Sequence, residues 1–212
     1  MSSWLVYGLG FLAQGFFSAR MLIQWIMSER AKKIVSPDLY WICSLIGSIL
    51  LFIYGWLRDD FSIILGQLIS YYIYIWNLNI KGVWPRLPMV LRAIIFCLPI
   101  AAVSLMLKDA GAFVQSFFHN EQVPMWLLIF GSAGQCIFTV RFIYQWYYSY
   151  KRHASMLPIF FWVISLVGSG IIVAYGCFRR DPVLILGQSV GFITYSRNIV
   201  IGLSNKPKAP EK

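Results

Sequence analysis

The chain repeats itself at a constant offset of 121 residues, and this repeat constrains the fold more than any other feature. Arg20 is matched by Arg141 (141 − 20 = 121), and the same offset holds without a gap along three consecutive apolar segments. Roughly two dozen of about seventy aligned positions are identical, which indicates an internal duplication. The matched pairs include Gln14/Gln135, Gln24/Gln145, Trp41/Trp162, Tyr54/Tyr175, Gly66/Gly187 and Asn77/Asn198.

The composition places the chain among membrane proteins. Hydrophobic residues make up 59% of its 212 residues and charged residues 12%, whereas a typical soluble domain has about 25% charged residues. A membrane-spanning helix needs about 20 apolar residues, and we predict an all-α protein with seven such helices. The first is expected to stay in the membrane, since no basic signal-peptide segment precedes it. The predicted helices are Ser3–Met27, Leu39–Leu57, Ser62–Ile80, Met89–Leu107, Pro124–Tyr148, Ile159–Phe178 and Val183–Leu203.

Two three-helix units joined by a single helix follow from the repeat, in a 3+1+3 layout. Equivalent helices are four apart in the chain, so both units cross the bilayer in the same direction, as a parallel repeat. We expect a first unit at 1–82, a linker helix and outer loop at 83–123, a second unit at 124–204 and a disordered basic tail at 205–212. In transporters that are built from parallel repeats, the substrate path lies between the two units.

Basic residues in the loops predict the orientation. The net charge is +10, and most of the lysines and arginines fall on one side of the predicted helices. The positive-inside rule therefore places the N-terminus outside and the C-terminus in the cytoplasm. The same distribution explains the charge without a nucleic-acid partner, and the tail is expected to meet anionic membrane lipids.

Two arginines lie inside predicted membrane helices. Arg20 and Arg141 stand about two turns from the predicted cytoplasmic ends, with no acidic residue predicted at that depth. Each could reach the headgroups and anchor its helix. Alternatively they form an anion site, because arginine in lipid costs about 2.5 to 3.5 kcal/mol and is usually kept where it pairs or lines a path. A substrate phosphate would supply the charge, and Arg197 is a third candidate for binding it.

Amide and phenol side chains recur along the predicted path. Hydrogen bonding between helices would explain them, and contact with the hydroxyls of a sugar is the functional alternative. Arg197 is matched by Trp76, so the two units differ, which suggests one asymmetric substrate. The path-lining candidates are Gln14, Gln24, Gln67, Tyr74 and Asn77, with their counterparts Gln135, Gln145, Gln188, Tyr195 and Asn198.

An Arg-x-Asp motif stands at the predicted outer surface of each unit, as Arg58/Asp60 and Arg179/Asp181. Helix capping with ion pairing is the simplest interpretation, and an outer gate is the functional one. Acidic residues are otherwise confined to predicted loops and helix ends. Without a carboxylate in the membrane, facilitation or exchange is a more economical mechanism than proton coupling.

Features of an enzyme are not recognisable in the sequence. We find no nucleophile with an adjacent base, no paired carboxylates and no glycine-rich phosphate loop. The four cysteines are isolated in apolar runs, which is typical of free thiols rather than of a disulfide framework or metal site. We therefore expect a protein that is not an enzyme and has no cofactor and no metal.

Several motifs of the chain resemble the lipid A biosynthesis N-terminal domain family, whose members are often labelled lipid-A-disaccharide synthase N-terminal-like. That family is distantly similar to the PQ-loop and SWEET transporters, although neither repeat has the Pro-Gln dipeptide of the PQ-loop proteins. The resemblance covers both repeats. The motifs are Gln135-x-x-Phe138-x-x-Arg141-Phe142-x-x-Gln145-Trp146, Pro158-x-x-Phe161-Trp162-x-x-Ser165-Leu166-x-Gly168, Arg179-x-Asp181-Pro182-Val183-x-Ile185-Leu186-Gly187-Gln188 and Tyr195-x-Arg197-Asn198.

The resemblance implies a SWEET-like protein of a bacterial inner membrane that handles sugar lipids. Together with the arginines, it predicts a flippase for a phosphate-bearing glycolipid, such as an undecaprenyl-phosphate-linked sugar, used in lipid A or envelope modification. The alternatives are a small-sugar transporter, a membrane component of lipid A synthesis, and a structural anchor for an envelope glycosyltransferase.

Overall fold

The computed structural model describes residues 3–58, 60–108 and 124–204, and within these ranges the chain is helical with no strand. The described ranges contain seven α-helices and one short 3-10 helix. They are α1 Ser3–Ala31, α2 Asp38–Leu57, α3 Phe61–Ile80, the 3-10 helix Trp84–Arg86, α4 Met89–Lys108, α5 Met125–Lys151, α6 Ile159–Arg179 and α7 Pro182–Ser204.

The seven predicted helices are confirmed, and most of their ends agree with the prediction to within one residue. The larger differences are at α1, which continues past Met27 to Ala31, and at α5, which continues past Tyr148 to Lys151. Both helices run on into a polar turn, because leaving the apolar region does not end a helix. The predicted outer loop after residue 108 and the predicted tail at 205–212 lie outside the described residues.

Five of the described helices are long and apolar enough to cross a membrane, namely α1, α2, α3, α5 and α6. In α4, the residues Met89–Ser104 are apolar as well. Helix α7 has sufficient length but carries polar side chains such as Gln188, Thr194, Arg197 and Asn198, which lower its apolar character. The prediction of seven membrane-spanning helices is therefore supported by composition for five of them.

Helix packing follows the repeat. In the first repeat, formed by α1–α3, α2 packs on both α1 and α3; in the second repeat, formed by α5–α7, α6 packs on both α5 and α7. The two repeats meet along two contacts related by the duplication: α1 with α7, which we call seam A, and α3 with α5, which we call seam B. Each seam thus joins the first helix of one repeat to the third helix of the other.

Glycines in the second helix of each repeat permit the closest helix approach. A Cβ added at Gly168 of α6 would lie 2.8 Å from the Cα of Phe138 in α5, so only glycine fits against this backbone. At the equivalent Gly47 the nearest atoms belong to the Phe17 ring, at 3.0 Å. Small residues that allow such approach are typical of membrane helix interfaces.

Helix α4 is joined to α3 by hydrogen bonds to its backbone carbonyls near Pro99. Proline has no N–H, so Pro99 cannot donate to the carbonyl of Ile95 four residues earlier. The Tyr71 hydroxyl of α3 donates to this carbonyl across 2.8 Å, and Tyr72 donates to the next carbonyl, that of Phe96, across 3.2 Å. The Tyr71 hydroxyl therefore satisfies a backbone acceptor that would otherwise be costly in an apolar environment.

Candidate anion-binding cavity

A polar cavity lies between the two repeats. Its volume is about 50 Å³, which is room for a few water molecules and far below the roughly 300 to 1,000 Å³ of pockets that bury larger ligands. Most of its lining comes in pairs related by the duplication, so both repeats contribute the same chemistry. These pairs are Gln14/Gln135, Phe17/Phe138, Arg20/Arg141, Met21/Phe142, Gly66/Gly187, Gln67/Gln188 and Tyr74/Tyr195.

Both cavity arginines are buried and turn inward. Arg20 is 3% exposed and Arg141 is 1% exposed. Arg20 donates from NH1 to the Ser44 hydroxyl at 2.8 Å, while Arg141 donates from NH1 to the Tyr195 hydroxyl at 3.2 Å. The Nε atom of each arginine is buried without a hydrogen-bond partner. Each guanidinium therefore keeps unused donors beside the cavity.

No carboxylate that the structure describes neutralises these two charges. Four acidic residues fall within the described ranges, and each is paired with a different basic residue. Aromatic rings partly take the place of a counter-ion. The centre of the Phe17 ring lies 4.5 Å from Arg20 Cζ, and the centre of the equivalent Phe138 ring lies 3.3 Å from Arg141 Cζ. The four pairs are Arg58–Asp181, Lys81–Asp38, Arg179–Asp60 and Arg197–Glu29.

The two guanidiniums are close neighbours. The centre of the Phe142 ring is 5.8 Å from Arg20 Cζ and 4.5 Å from Arg141 Cζ, so the two Cζ atoms are at most about 10 Å apart, the sum of these distances. Two like charges at this separation in a low-dielectric interior repel each other. An anion placed between them would relieve this repulsion and could contact both.

Four glutamine carboxamides line the cavity without protein partners. The side chains of Gln14, Gln67, Gln135 and Gln188 are buried or half-buried, and none of them forms a hydrogen bond with any described residue. Two of them cross between repeats, because the Gln14 carboxamide lies against Gly187 and that of Gln135 lies against Gly66. Their donors and acceptors are therefore available to a polar ligand.

At one end of the cavity, two amide pairs join the repeats. In seam A, Gln24 and Asn198 exchange two hydrogen bonds, of 2.8 and 2.9 Å. In seam B, Gln145 and Asn77 exchange two, of 3.0 and 3.1 Å. These four predicted path residues do not line the closed cavity; they bridge the repeats beside it.

The loops after α1 and α5 contact the same two amide pairs, Gln24–Asn198 and Gln145–Asn77, which we call the amide layer. Ser28 accepts a hydrogen bond from the Val35 backbone N–H at 3.1 Å, and its repeat partner Ser149 accepts one from Met156 at 3.0 Å. The side chain of Ser155 donates to Asn77 at 2.8 Å. These serines were not among the predicted site residues, although the offset of 121 residues between Ser28 and Ser149 is a signal that could have found them.

At the other end, the Arg-x-Asp motifs cross between the repeats. Asp60 accepts a hydrogen bond from Tyr175 at 3.0 Å and lies 3.8 Å from Arg179. Asp181 accepts one from Tyr54 at 2.9 Å and lies 3.5 Å from Arg58. Each aspartate also caps its own helix, as when Asp60 accepts from the Ile63 N–H at 3.2 Å. Burial raises the pKa of the Asp60 carboxyl, and the Arg179 charge opposes this.

Arg197 is not brought to the cavity. Its side chain is 45% exposed, and it forms an ion pair with Glu29 of α1, with the Arg197 NH2 atom 3.1 Å from Glu29 Oε2. The structure thus brings Arg20 and Arg141 together and leaves the third predicted phosphate ligand at the edge of seam A. Its counter-ion could not be recognised from the sequence, because the two residues are 168 positions apart.

The fold and the cavity define a membrane-embedded helical protein built from two repeats around a buried cationic site. The chain belongs to the Lipid A Biosynthesis N-terminal domain family, whose profile matches residues 9–79 and again residues 130–200. The two matches are separated by the same 121 residues (130 − 9 = 121) that relate Arg20 to Arg141. The family resemblance predicted from the motifs is thereby confirmed.

Curated relatives share the whole of the chain but are longer. A lipid-A-disaccharide synthase of Chlamydia pneumoniae is 31% identical over 216 residues, covering 98% of this chain and 35% of the relative. One of Chlamydia felis is 30% identical over 222 residues, covering 98% of this chain and 34% of the relative. The chain therefore spans about a third of the length of these relatives. No solved structure matches it.

Proposed function

We propose that this protein moves a phosphate-bearing glycolipid, such as an undecaprenyl-phosphate-linked sugar, from the cytoplasmic to the outer leaflet of a bacterial inner membrane. In this proposal all seven helices cross the bilayer, in a SWEET-like 3+1+3 arrangement of parallel repeats. The N-terminus is periplasmic and the C-terminus cytoplasmic, as the loop charges indicate. The end of the cavity with the amide layer then faces the cytoplasm, and the end with the two Arg-x-Asp motifs faces outward.

The observation that carries the proposal is the pair of buried arginines without a carboxylate partner. A buried charge is usually paired with an opposite charge, and Arg20 and Arg141 have none among the described residues. A phosphate ester would complete the site, because planar guanidiniums bind phosphate through paired, charge-assisted hydrogen bonds. A neutral sugar would leave both charges uncompensated.

The free glutamines support a sugar as the second part of the substrate. Gln14, Gln67, Gln135 and Gln188 present carboxamides to the same cavity as the arginines. A carboxamide both donates and accepts hydrogen bonds, which suits the hydroxyl groups of a sugar. The phosphate would bind at Arg20 and Arg141, the sugar would contact the glutamines, and the lipid chain would remain in the bilayer.

Transport requires the two ends of the cavity to open in turn. At about 50 Å³, the cavity in this closed form is too small for a glycosyl phosphate. The contacts that close it join the repeats to each other, through Gln24–Asn198 and Gln145–Asn77 at one end and through Tyr54–Asp181 and Tyr175–Asp60 at the other. Separation of the repeats at one end would expose the arginines to that side.

A membrane component of lipid A synthesis is the second candidate, favoured by the names of the relatives. In the synthases of Chlamydia, the segment similar to this chain makes up about a third of the length. In that case the residues described here would bring a lipid substrate to a glycosyltransferase. We propose no catalytic role for the described residues, because they include no nucleophile and base arranged around one substrate.

The experiment is leaflet exposure of a polyprenyl-phosphate sugar in proteoliposomes, detected with a reagent that modifies only the outer leaflet. Wild type is compared with Arg20→Gln, Arg141→Gln and the matched control Arg86→Gln, an exposed arginine of the 3-10 helix. We expect wild type and Arg86→Gln to accelerate exposure. Each cavity variant should be slower by about tenfold or more, since a hydrogen bond to a charged group contributes about 1.5 to 3 kcal/mol.

A second lipid, which carries the same sugar but no phosphate, is tested in the same assay to separate the candidate functions. A flippase of the proposed kind should not accelerate the exposure of this lipid above the rate in empty vesicles. Equal exposure of both lipids would favour a neutral-sugar transporter. Wild-type activity no greater than that of empty vesicles would contradict flipping and favour the synthase-component or anchor alternatives.

A further inference from the structure

The two seams differ at their predicted cytoplasmic ends, although the duplication makes their helices equivalent. In seam B the rings of Trp76 and Trp146 meet edge to face at 6.3 Å, and Tyr150 stacks on Trp146 at 5.7 Å. Seam A keeps one of these three aromatic residues and has charged residues in place of the other two. The equivalent residues, each 121 positions away, are Arg197, Trp25 and Glu29.

An exposed ion-paired cluster closes seam A. Arg197 of α7 pairs with Glu29 of α1, and the Trp25 indole N–H donates to the same carboxylate at 3.0 Å. The side chains of Arg197 and Glu29 are 45% and 37% exposed. An ion pair at this exposure adds little to stability, so a competing anion could separate it readily.

A recess beside this ion pair combines cationic and apolar walls. Its volume is about 300 Å³, several times that of the central cavity. Arg197 and Lys32 give the recess positive charge, and the Arg197 guanidinium is a group that binds phosphate, while Val200 and Ile201 offer an aliphatic surface. Such a combination fits the junction of a phosphate headgroup with its hydrocarbon chain.

We infer that seam A is the lateral opening through which the phosphate headgroup of a lipid leaves the cytoplasmic leaflet for the central cavity, with Arg197 as its first ligand. This inference rests on the proposed function. The phosphate displaces Glu29 from Arg197, and the guanidinium then binds the phosphate in the paired manner that planar guanidiniums favour. The hydrocarbon chain stays outside the seam, in the bilayer.

Successive residues of α1 lead from this recess to the cavity. Gln24 lies between Glu29 and Arg20 along α1, and its partner Asn198 directly follows Arg197 in α7. Glu29 and Arg20 are nine positions apart, which corresponds to about 13.5 Å of helix. A phosphate moving inward would meet Arg197, then the amides of Gln24 and Asn198, and finally Arg20. Seam B offers aromatic rings at the first of these steps, which give an anion no hydrogen-bond donor comparable to Arg197.

Cross-links that lock one seam at a time test the inference. The four native cysteines are free thiols and are first replaced by serine or alanine. Gln24→Cys with Asn198→Cys then allows seam A to be locked by a short bifunctional thiol reagent, and Asn77→Cys with Gln145→Cys allows the same at seam B. Because these pairs are related by the duplication, each is the matched control for the other. Leaflet exposure is compared in each variant before locking, after locking and after reversal.

Locking seam A should abolish the exposure that the unlocked variant shows, and reversal should restore it, while locking seam B should leave most of it. Loss on locking seam B alone, or equal loss at both seams, would overturn the inference. If the cysteine-free parent protein, which keeps all four of these amides, shows no activity above empty vesicles, the proposed function itself fails and the inference falls with it. The two failures are therefore distinguishable.

Substitution of the two halves of the ion pair gives an independent test. Glu29→Gln removes the competing anion and should increase the rate of exposure at low lipid concentration by severalfold, whereas Arg197→Gln should decrease it severalfold. If the ion pair only held α1 and α7 together, both substitutions would change the rate in the same direction. That result, or no change in either variant, would overturn the role of Arg197.

Discussion

Tyr54 of the first repeat donates its hydroxyl hydrogen to Asp181 of the second repeat across 2.9 Å. The duplication generates the reciprocal bond, from Tyr175 to Asp60, across 3.0 Å. Each aspartate at the same time caps the third helix of its own repeat, since Asp181 also accepts from the Val183 N–H at 3.0 Å. The start of each third helix is therefore coupled to the contact that closes one end of the cavity.

Removal of either tyrosine hydroxyl should weaken this closure. We expect Tyr54→Phe and Tyr175→Phe each to lower the free energy of unfolding in detergent by about 1.5 to 3 kcal/mol, because each loses a hydrogen bond to a buried charged group. Tyr150→Phe is the control, since its side chain is 55% exposed and stacks through its ring. Equal effects of all three substitutions would contradict the crossed contact.

Stability should depend on pH through Asp60. Burial raises the pKa of this carboxyl above its ordinary value of 3.8, so the folded protein binds the proton at a higher pH than the unfolded chain. The free energy of unfolding should therefore rise as the pH falls from the raised pKa to 3.8, and level off below it. Asp60→Asn should flatten this part of the curve, measured by denaturation at several pH values. An unchanged slope in the variant would contradict the assignment.

The two sets of glutamines should separate by stability. Gln24→Leu or Gln145→Leu leaves a buried asparagine without its partner and should lower the free energy of unfolding by about 1 to 3 kcal/mol. Gln67→Leu removes a cavity carboxamide that bonds to no described residue, so it should change stability by less than about 0.5 kcal/mol while slowing leaflet exposure. Denaturation and transport assays on the same preparations measure both. A large loss of stability in Gln67→Leu would assign it to helix packing instead.

A double-mutant cycle tests how Tyr71 joins α3 to α4. Tyr71→Phe alone leaves the Ile95 carbonyl without a donor and should cost about 1 kcal/mol or more. In a Pro99→Ala background residue 99 has an N–H for that carbonyl, so the same substitution should cost less. A coupling energy of about 0.5 kcal/mol or more between the two positions is expected. Additive effects would show that the hydroxyl does not replace the missing proline donor.

The sequence alone was sufficient for the helices and for the internal symmetry. Apolar run length located all seven helices, and the offset of 121 residues predicted that Arg20 and Arg141 would occupy equivalent places. Pattern could not show how far α1 and α5 continue beyond the apolar region, because polar residues such as Ser28 and Glu29 remain compatible with a helix.

The partners of the polar side chains could not be predicted in the same way. Helical periodicity places Gln14 and Gln24 on one helix but does not fix how the two repeats meet. In the structure, Gln24 pairs with Asn198 of the other repeat, whereas Gln14 is unpaired and lines the cavity. The difference arises from rotation and register between repeats, which depend on contacts such as that of Gly168 with the Phe138 backbone.

Binding of the phosphate is the step on which the proposed function depends most directly. We would measure the affinity of the purified protein for undecaprenyl phosphate and for undecaprenol, in wild type and in the Arg20→Gln/Arg141→Gln variant. The account predicts that wild type prefers the phosphate by about tenfold or more, which corresponds to about 1.4 kcal/mol, and that the variant loses this preference. Equal affinity of wild type for the two lipids, or a preference that survives removal of both arginines, would contradict it.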